Sequence, residues 1–105
     1  MTKDITSYNK EGQRHGYWEV YNAKGKLDYK GHYDNGTRIG YWESYWSNGN
    51  IYYKGSFNNS QRHGYWEQYD SNGNLKYKGN YDNNNMVGYW EWYDKCELEE
   101  QIFYS

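Results

Sequence analysis

Three sets of residues have types that could do chemistry. His15-Gly-Tyr-Trp-Glu19 and His63-Gly-Tyr-Trp-Glu67 each place an imidazole and a carboxylate four positions apart. On a helix that spacing suits a metal site, but on a strand four residues span roughly 13 Å, too far for one ion. The same position holds Ile39 and Val87 in the corresponding stretches, so the histidines are not expected to ligate or catalyse. Glu19, Glu43 and Glu67 recur in identical surroundings and could resemble an acid/base pair. Neighbouring copies would stand roughly 10 Å apart on alternate strands, and a lysine faces each one. Cys96 sits beside Lys95, whose charge would lower the thiol pKa. A lone cysteine builds neither an intrachain disulfide nor a thiolate cluster. The expectation is no enzyme, no cofactor and no metal.

Composition restricts what could position any of these groups. The chain has 105 residues, with Tyr 16, Trp 6 and Phe 2. Leu, Ile, Val and Phe together number only 11, and the mean hydropathy is −1.47. So low an aliphatic share ordinarily means disorder, so a folded core must be aromatic. Twelve basic and 14 acidic residues give a net charge of −2, which offers no electrostatic footprint for nucleic acid. No apolar run approaches the roughly 20 residues of a membrane helix, and no signal-type stretch follows Met1. A cytoplasmic, non-membrane protein is the expectation.

The elements follow from an internal repeat. Gly-Tyr-Trp-Glu occurs at 16–19, 40–43, 64–67 and 88–91, a spacing of 24 each time. Lys-Gly recurs on the same period at Lys30-Gly31, Lys54-Gly55 and Lys78-Gly79, followed two residues on by Tyr33, Phe57 and Tyr81. Each unit reads as a β-hairpin. A Tyr/Trp-rich run meets Lys24-Gly25, Asn48-Gly49 or Asn72-Gly73, and a second aromatic run follows. Asn-Gly suits a two-residue type I′ turn, whose central residues both need positive φ.

With Asn48-Gly49 as the central pair, Glu43 lies across from Lys54, Trp42 from Gly55 and Gly40 from Phe57. The same register predicts Glu19–Lys30 and Glu67–Lys78 ion pairs and a large ring over each strand glycine. Period-2 alternation then sorts two faces. All six Trp share one face with Gly31 and Tyr33. The other carries two tyrosine ladders, Tyr17/Tyr41/Tyr65/Tyr89 and Tyr21/Tyr45/Tyr69/Tyr93, flanking the Glu–Lys row. The expected architecture is all-β: a single-layer twisted antiparallel sheet of tandem 24-residue hairpin repeats.

One domain, 1–105, is expected, with a half-repeat edge strand at 8–15, repeats at 16–39, 40–63 and 64–87, and a half-repeat at 88–93. Residues 94–105 depart from the pattern. Asp94 with Glu97 fits a capping box and Leu98 with Ile102 is an i, i+4 pair, which predicts a short C-terminal capping helix.

These units resemble MORN repeats, β-hairpin modules of Tyr-x-Gly-x-Trp/Tyr type. The resemblance is carried by Tyr29-Lys30-Gly31-His32-Tyr33 through Gly40-Tyr41-Trp42 and by the two copies that follow, up to Gly88-Tyr89-Trp90. It covers most of residues 8–93 and is nearest to the bacterial variant branch regarded as antitoxin-like. Asn59 and Asn83 are followed by polar residues where the family often has Gly. The resemblance implies a scaffold or binding module without chemistry of its own.

The expected function is therefore a non-enzymatic protein–protein interaction module. It would inhibit or neutralise a partner by surface occlusion, as an antitoxin or immunity protein, or as a phage-encoded inhibitor of a host defence enzyme. Alternatives are a carbohydrate- or choline-binding aromatic module, and a structural scaffold or homodimer. Candidate partner-binding residues are the eight ladder tyrosines, Trp46 and Trp92, which break the repeat consensus, and Arg38 and Arg62. The arginines belong to a row with Arg14 that Met86 ends. Tyr gives large, stiff contact area with a polar tip, and Tyr, Trp and Arg are enriched at interfaces.

Overall fold

In the computed structural model, residues 3–105 are described and form one eight-stranded antiparallel meander with no helix. The strands are β1 (Gly16–Tyr21), β2 (Leu27–Asp34), β3 (Thr37–Tyr45), β4 (Ile51–Asn58), β5 (Gln61–Tyr69), β6 (Leu75–Asp82), β7 (Asn85–Asp94) and β8 (Glu97–Tyr104). Each pairs only with its neighbours in sequence. The molecule measures 46 × 32 × 11 Å, the thickness of a single layer.

The predicted body register is observed: Glu43 pairs with Lys54, Trp42 with Gly55 and Gly40 with Phe57. It is reached through a different turn. Ser47-Asn48-Gly49 form a three-residue loop, closed by the Trp46 N–H to Asn50 O at 2.8 Å and the Gly49 N–H to Trp46 O at 2.9 Å. Of the three, only Gly49 has positive φ, +95°, the geometry of a turn ending in a glycine bulge. Tyr45 then pairs with Ile51 but Ser44 with Tyr53, leaving Tyr52 bulged. The longer loop and the bulge cancel, which is why the wrong turn predicts the right pairs.

The type I′ turns lie at the other end of the sheet. Asn35-Gly36, Asn59-Ser60 and Asn83-Asn84 have positive φ at both residues. Ser60 and Asn84 accept this strained region and use their side chains: Ser60 Oγ accepts the Arg38 N–H at 2.9 Å and Asn84 Oδ1 the Arg62 N–H at 2.8 Å. The backbone N–H groups of Gly36, Ser60 and Asn84 donate to Arg14, Arg38 and Arg62 O. Each turn is thereby tied to the preceding repeat.

The core is a row of rings on one face. Tyr8, Trp18, Tyr33, Trp42, Phe57, Trp66, Tyr81 and Trp90 meet edge-to-face in that order, at centroid separations of 4.8–6.0 Å. Rings cover Gly31, Gly55 and Gly79, each from the next repeat and not from the residue paired with the glycine, whereas Gly40 and Gly64, expected to lie under Phe57 and Tyr81, have nothing within 4 Å of a Cβ. Between β2 and β3, pairing passes from Lys30–Glu43 to His32–Ile39, so Gly40-Tyr41-Trp42 bulge opposite Gly31. Gly40, at φ +68°, supplies the kink. Trp42 folds onto Gly31 so closely that a Cβ there would stand 2.1 Å from its Cδ2; Trp66 covers Gly55 and Trp90 covers Gly79 in the same way.

Both ends differ from expectation. Residues 94–105 form no helix: Lys95-Cys96 make a type I′ turn (φ 51° and 68°) and β8 pairs along β7 from Asp94–Glu97 to Gly88–Tyr104. A short helix of this length gains little alone in water, whereas β8 satisfies the open edge of β7. Ile102 and Tyr104 then turn to the Trp face and Phe103 to the Tyr face. Residues 8–15 make a tight turn rather than an edge strand, with one bridge between Tyr8 and Arg14. The edge of β1 is covered further upstream, where Ile5 exchanges both backbone hydrogen bonds with Glu19.

Candidate functional site

The Tyr face is built from repeated Tyr-x-Glu-x-Tyr units. Alternation puts all three side chains on one side of β1, β3 and β5, and each glutamate accepts hydroxyls from both tyrosines. Tyr65 and Tyr69 donate to Glu67 at 2.7 Å each, Tyr41 and Tyr45 to Glu43, and Tyr17 and Tyr21 to Glu19. In β7 only Tyr93 donates to Glu91, and Gln101 fills the other oxygen. The ion pairs cross between hairpins: Lys30–Glu43 at 3.4 Å, Lys54–Glu67 at 3.3 Å and Lys78–Glu91 at 3.5 Å. The pairing predicted within each hairpin, such as Glu43–Lys54, exists as a backbone register, but the lysine reaches the glutamate of the following strand instead. Glu19 is thus left with its two tyrosines and no ion pair among the described residues.

This network shifts ionisation in opposite directions. Burial pushes the Tyr17 and Tyr69 hydroxyls up to about 12, with their bonds to Glu19 and Glu67 adding to it. Tyr41, Tyr45 and Tyr65 are raised for the same reasons. Burial raises Glu43 and Glu67, but the tyrosine hydroxyls and the paired lysines outweigh it and the net shift is downward. Such carboxylates are ionised acceptors, held for structure.

The ladders are unequal in exposure. Tyr21, Tyr45, Tyr69 and Tyr93 are half-buried, as is Tyr17. Tyr41, Tyr65 and Tyr89 are 52%, 50% and 64% exposed, and Phe103, 58% exposed, packs at a tilt against Tyr89 at 4.8 Å. Trp46 and Trp92 lie off this stripe with structural partners. Trp46 packs on Tyr52 at 4.3 Å and donates its Nε1–H to Tyr69 O; Trp92 packs on Trp90 at the end of the core. His15 and His63 serve turns, each Nδ1 accepting a backbone N–H, from Asn35 and Asn83 respectively. No group of three or more His, Cys, Asp or Glu is placed to hold a metal among the described residues.

Arg38 and Arg62 belong to the opposite face. Their guanidinium groups lie 4.2 Å from the Phe57 centroid and 4.3 Å from that of Tyr81. Beside them runs a trough, about 370 Å³ in one repeat and about 220 Å³ in the preceding one. Tyr53 and Tyr77, which form its second wall, are not distinguishable in the sequence from other strand aromatics.

A family model described as MORN repeat variant matches residues 14–35, 38–59 and 62–83. The chain belongs to the MORN repeat variant family. Its three matched copies start at Arg14, Arg38 and Arg62 and end at the turn-opening Asn35, Asn59 and Asn83. MORN repeats are generally protein- or ligand-interaction modules and generally non-catalytic. No curated protein matches this chain. Among the described residues, no helix is long and apolar enough to cross a membrane.

Proposed function

We propose that this MORN-variant chain is a non-enzymatic protein-binding module that inhibits or neutralises its partner, a toxin or a defence enzyme, by covering the partner's surface. The observation that carries this is the exposed stripe of Tyr41, Tyr65, Tyr89 and Phe103 on a rigid sheet. Exposed aromatics aligned along one face mark contact surfaces. Tyr41 and Tyr65 are also fixed by their bonds to Glu43 and Glu67, so little side-chain entropy is lost on contact. The face of 46 × 32 Å readily contains the roughly 800 Å² per partner of a standard interface. Occlusion requires nothing beyond such a surface.

The test is affinity capture from the source lysate followed by an activity assay of whatever is captured. The wild type retains a stoichiometric protein whose activity falls on addition of the module; Tyr41→Ala/Tyr65→Ala/Tyr89→Ala, checked for folding by circular dichroism, retains none. Retention of polysaccharide in place of protein, or an active partner in the complex, would count against occlusion.

A further inference from the structure

The Trp face carries a second feature, independent of the tyrosine stripe. Its trough has one wall of Arg14, Arg38 and Arg62, another of Tyr29, Tyr53 and Tyr77, and a floor of core rings. The same positions recur 24 residues apart, so the trough crosses the strands from repeat to repeat. It stops where Met86 and Trp92 replace the polar residues and pack against the core.

Two properties specify an occupant. The first is charge. Lys30, Lys54 and Lys78 on the Tyr face each have a glutamate, but none of the three arginines has an ion pair among the described residues. Each guanidinium lies against a ring, which leaves in-plane N–H groups to meet a carboxylate. Arg62 spends part of its fork on Tyr81 Oη and Asn84 Oδ1; among the described residues no side-chain hydrogen bond of Arg38 competes. The second is spacing. Successive arginines are two strands apart, about 9.6 Å. A polyproline II peptide advances about 9.3 Å per three-residue turn. Aromatic-walled grooves suit that conformation because it is already extended and loses little entropy on docking.

We propose that the trough binds a polyproline II segment carrying a carboxylate at every third residue, each carboxylate meeting one arginine and the intervening residues lying on the ring floor. Three arginines match about seven residues of such a peptide. A sugar polymer fits less well, since the floor indoles Trp42 and Trp66 are buried and turn their faces to Gly31 and Gly55. Neither indole presents an open face to a pyranose.

The probe is a capped peptide of three Pro-Pro-Glu triplets titrated into the full chain, read by tryptophan fluorescence and calorimetry. Saturable binding that weakens with salt is expected. It should weaken about tenfold for each of Arg38→Gln and Arg62→Gln, and be unchanged in Tyr41→Ala/Tyr65→Ala. Two control peptides need no variant: a block peptide of the same composition with every proline ahead of every glutamate, and the triplet peptide with lysine in place of glutamate. Equal binding of the block peptide would reduce the effect to bulk charge and overturn the spacing, and equal binding of the lysine peptide would overturn the role of the carboxylates. Binding of polygalacturonate but not of the peptide would replace a peptide with a sugar, and no binding at millimolar peptide would overturn the proposal. None of these outcomes bears on the tyrosine stripe.

Discussion

Gly40 and Gly55 lie on the two strands of one hairpin, yet replacing each by alanine should fail for different reasons and by different amounts. At Gly55 a Cβ would stand 2.2 Å from Trp66 Cδ2 and 2.5 Å from its Cγ, so the ring must retreat by roughly 1.2 Å to reach the 3.4 Å of ordinary contact. The indole has little room to do so. It is pinned by Nε1–H to Ser56 O at 2.9 Å and sits edge-on to Phe57 and Tyr81 and stacked on Tyr53. Over-packing costs about 1–3 kcal/mol and the strained indole bond about 1 kcal/mol more, so Gly55→Ala should cost about 2–4 kcal/mol. At Gly40 a Cβ meets nothing within 4 Å, and the objection is φ +68° alone. That costs about 1–2 kcal/mol, part of it offset by the stiffer unfolded chain. Gly40→Asn should recover stability, since Asn tolerates this region, whereas Gly55→Asn should be worse than Gly55→Ala. Urea denaturation followed by far-ultraviolet circular dichroism and tryptophan fluorescence measures all four. If Gly55→Ala costs no more than Gly40→Ala, the indole-on-glycine contact is not what holds neighbouring hairpins together.

Three further outcomes follow from the same geometry. Glu67→Gln removes the charge that accepts Tyr65, Tyr69 and Lys54, and should cost about 1–3 kcal/mol in the same urea assay, more than Glu99→Gln on the exposed last strand. Stability should be flat across neutral pH and fall at both extremes. The carboxylates with depressed pKa (Glu43, Glu67) stabilise above their unfolded pKa and lose this as pH drops through their folded values. The tyrosines with raised pKa stabilise below about pH 10 and lose this as pH rises towards about 12 for Tyr17 and Tyr69; thermal melts between pH 3 and 12 check both limbs. Lys95→Asn/Cys96→Gly places the preferred pair in a type I′ turn that now strains two non-glycine residues, and should raise stability by about 1 kcal/mol, read as an upward shift in the urea midpoint.

The repeat made the sheet legible because register has period two. Once Gly-Tyr-Trp-Glu and Lys-Gly recur 24 apart, a single pairing satisfies charge, glycine and ring together. The turn was not legible to the same degree, since Asn48-Gly49 suits either a two-residue turn or the end of a three-residue loop, and the bulge at Tyr52 hides the difference. The arginine row is visible in the sequence, but its contact with Phe57 and Tyr81 depends on the bulge at Gly40 and Gly64 that carries each Trp onto the previous hairpin. Lysine partners failed for a related reason: Lys30 has Glu19 on one side and Glu43 on the other, and sequence alone does not choose. At the C-terminus, Leu98 and Ile102 have helical i, i+4 spacing, but the bulge at Glu99, between the Leu98–Tyr93 and Glu100–Trp92 pairs, puts them on opposite faces of the sheet, Leu98 with Tyr93 and Ile102 with Trp90.

The tyrosine stripe is the proposed protein-binding surface. The most direct test is parallel capture on three immobilised forms of the chain: wild type, Tyr41→Ala/Tyr65→Ala/Tyr89→Ala, and Arg38→Gln/Arg62→Gln, with each eluate weighed for stoichiometry. One protein at a fixed ratio is predicted on the wild type and the arginine variant and absent from the tyrosine variant. The same protein on all three, or none on the wild type, would contradict it.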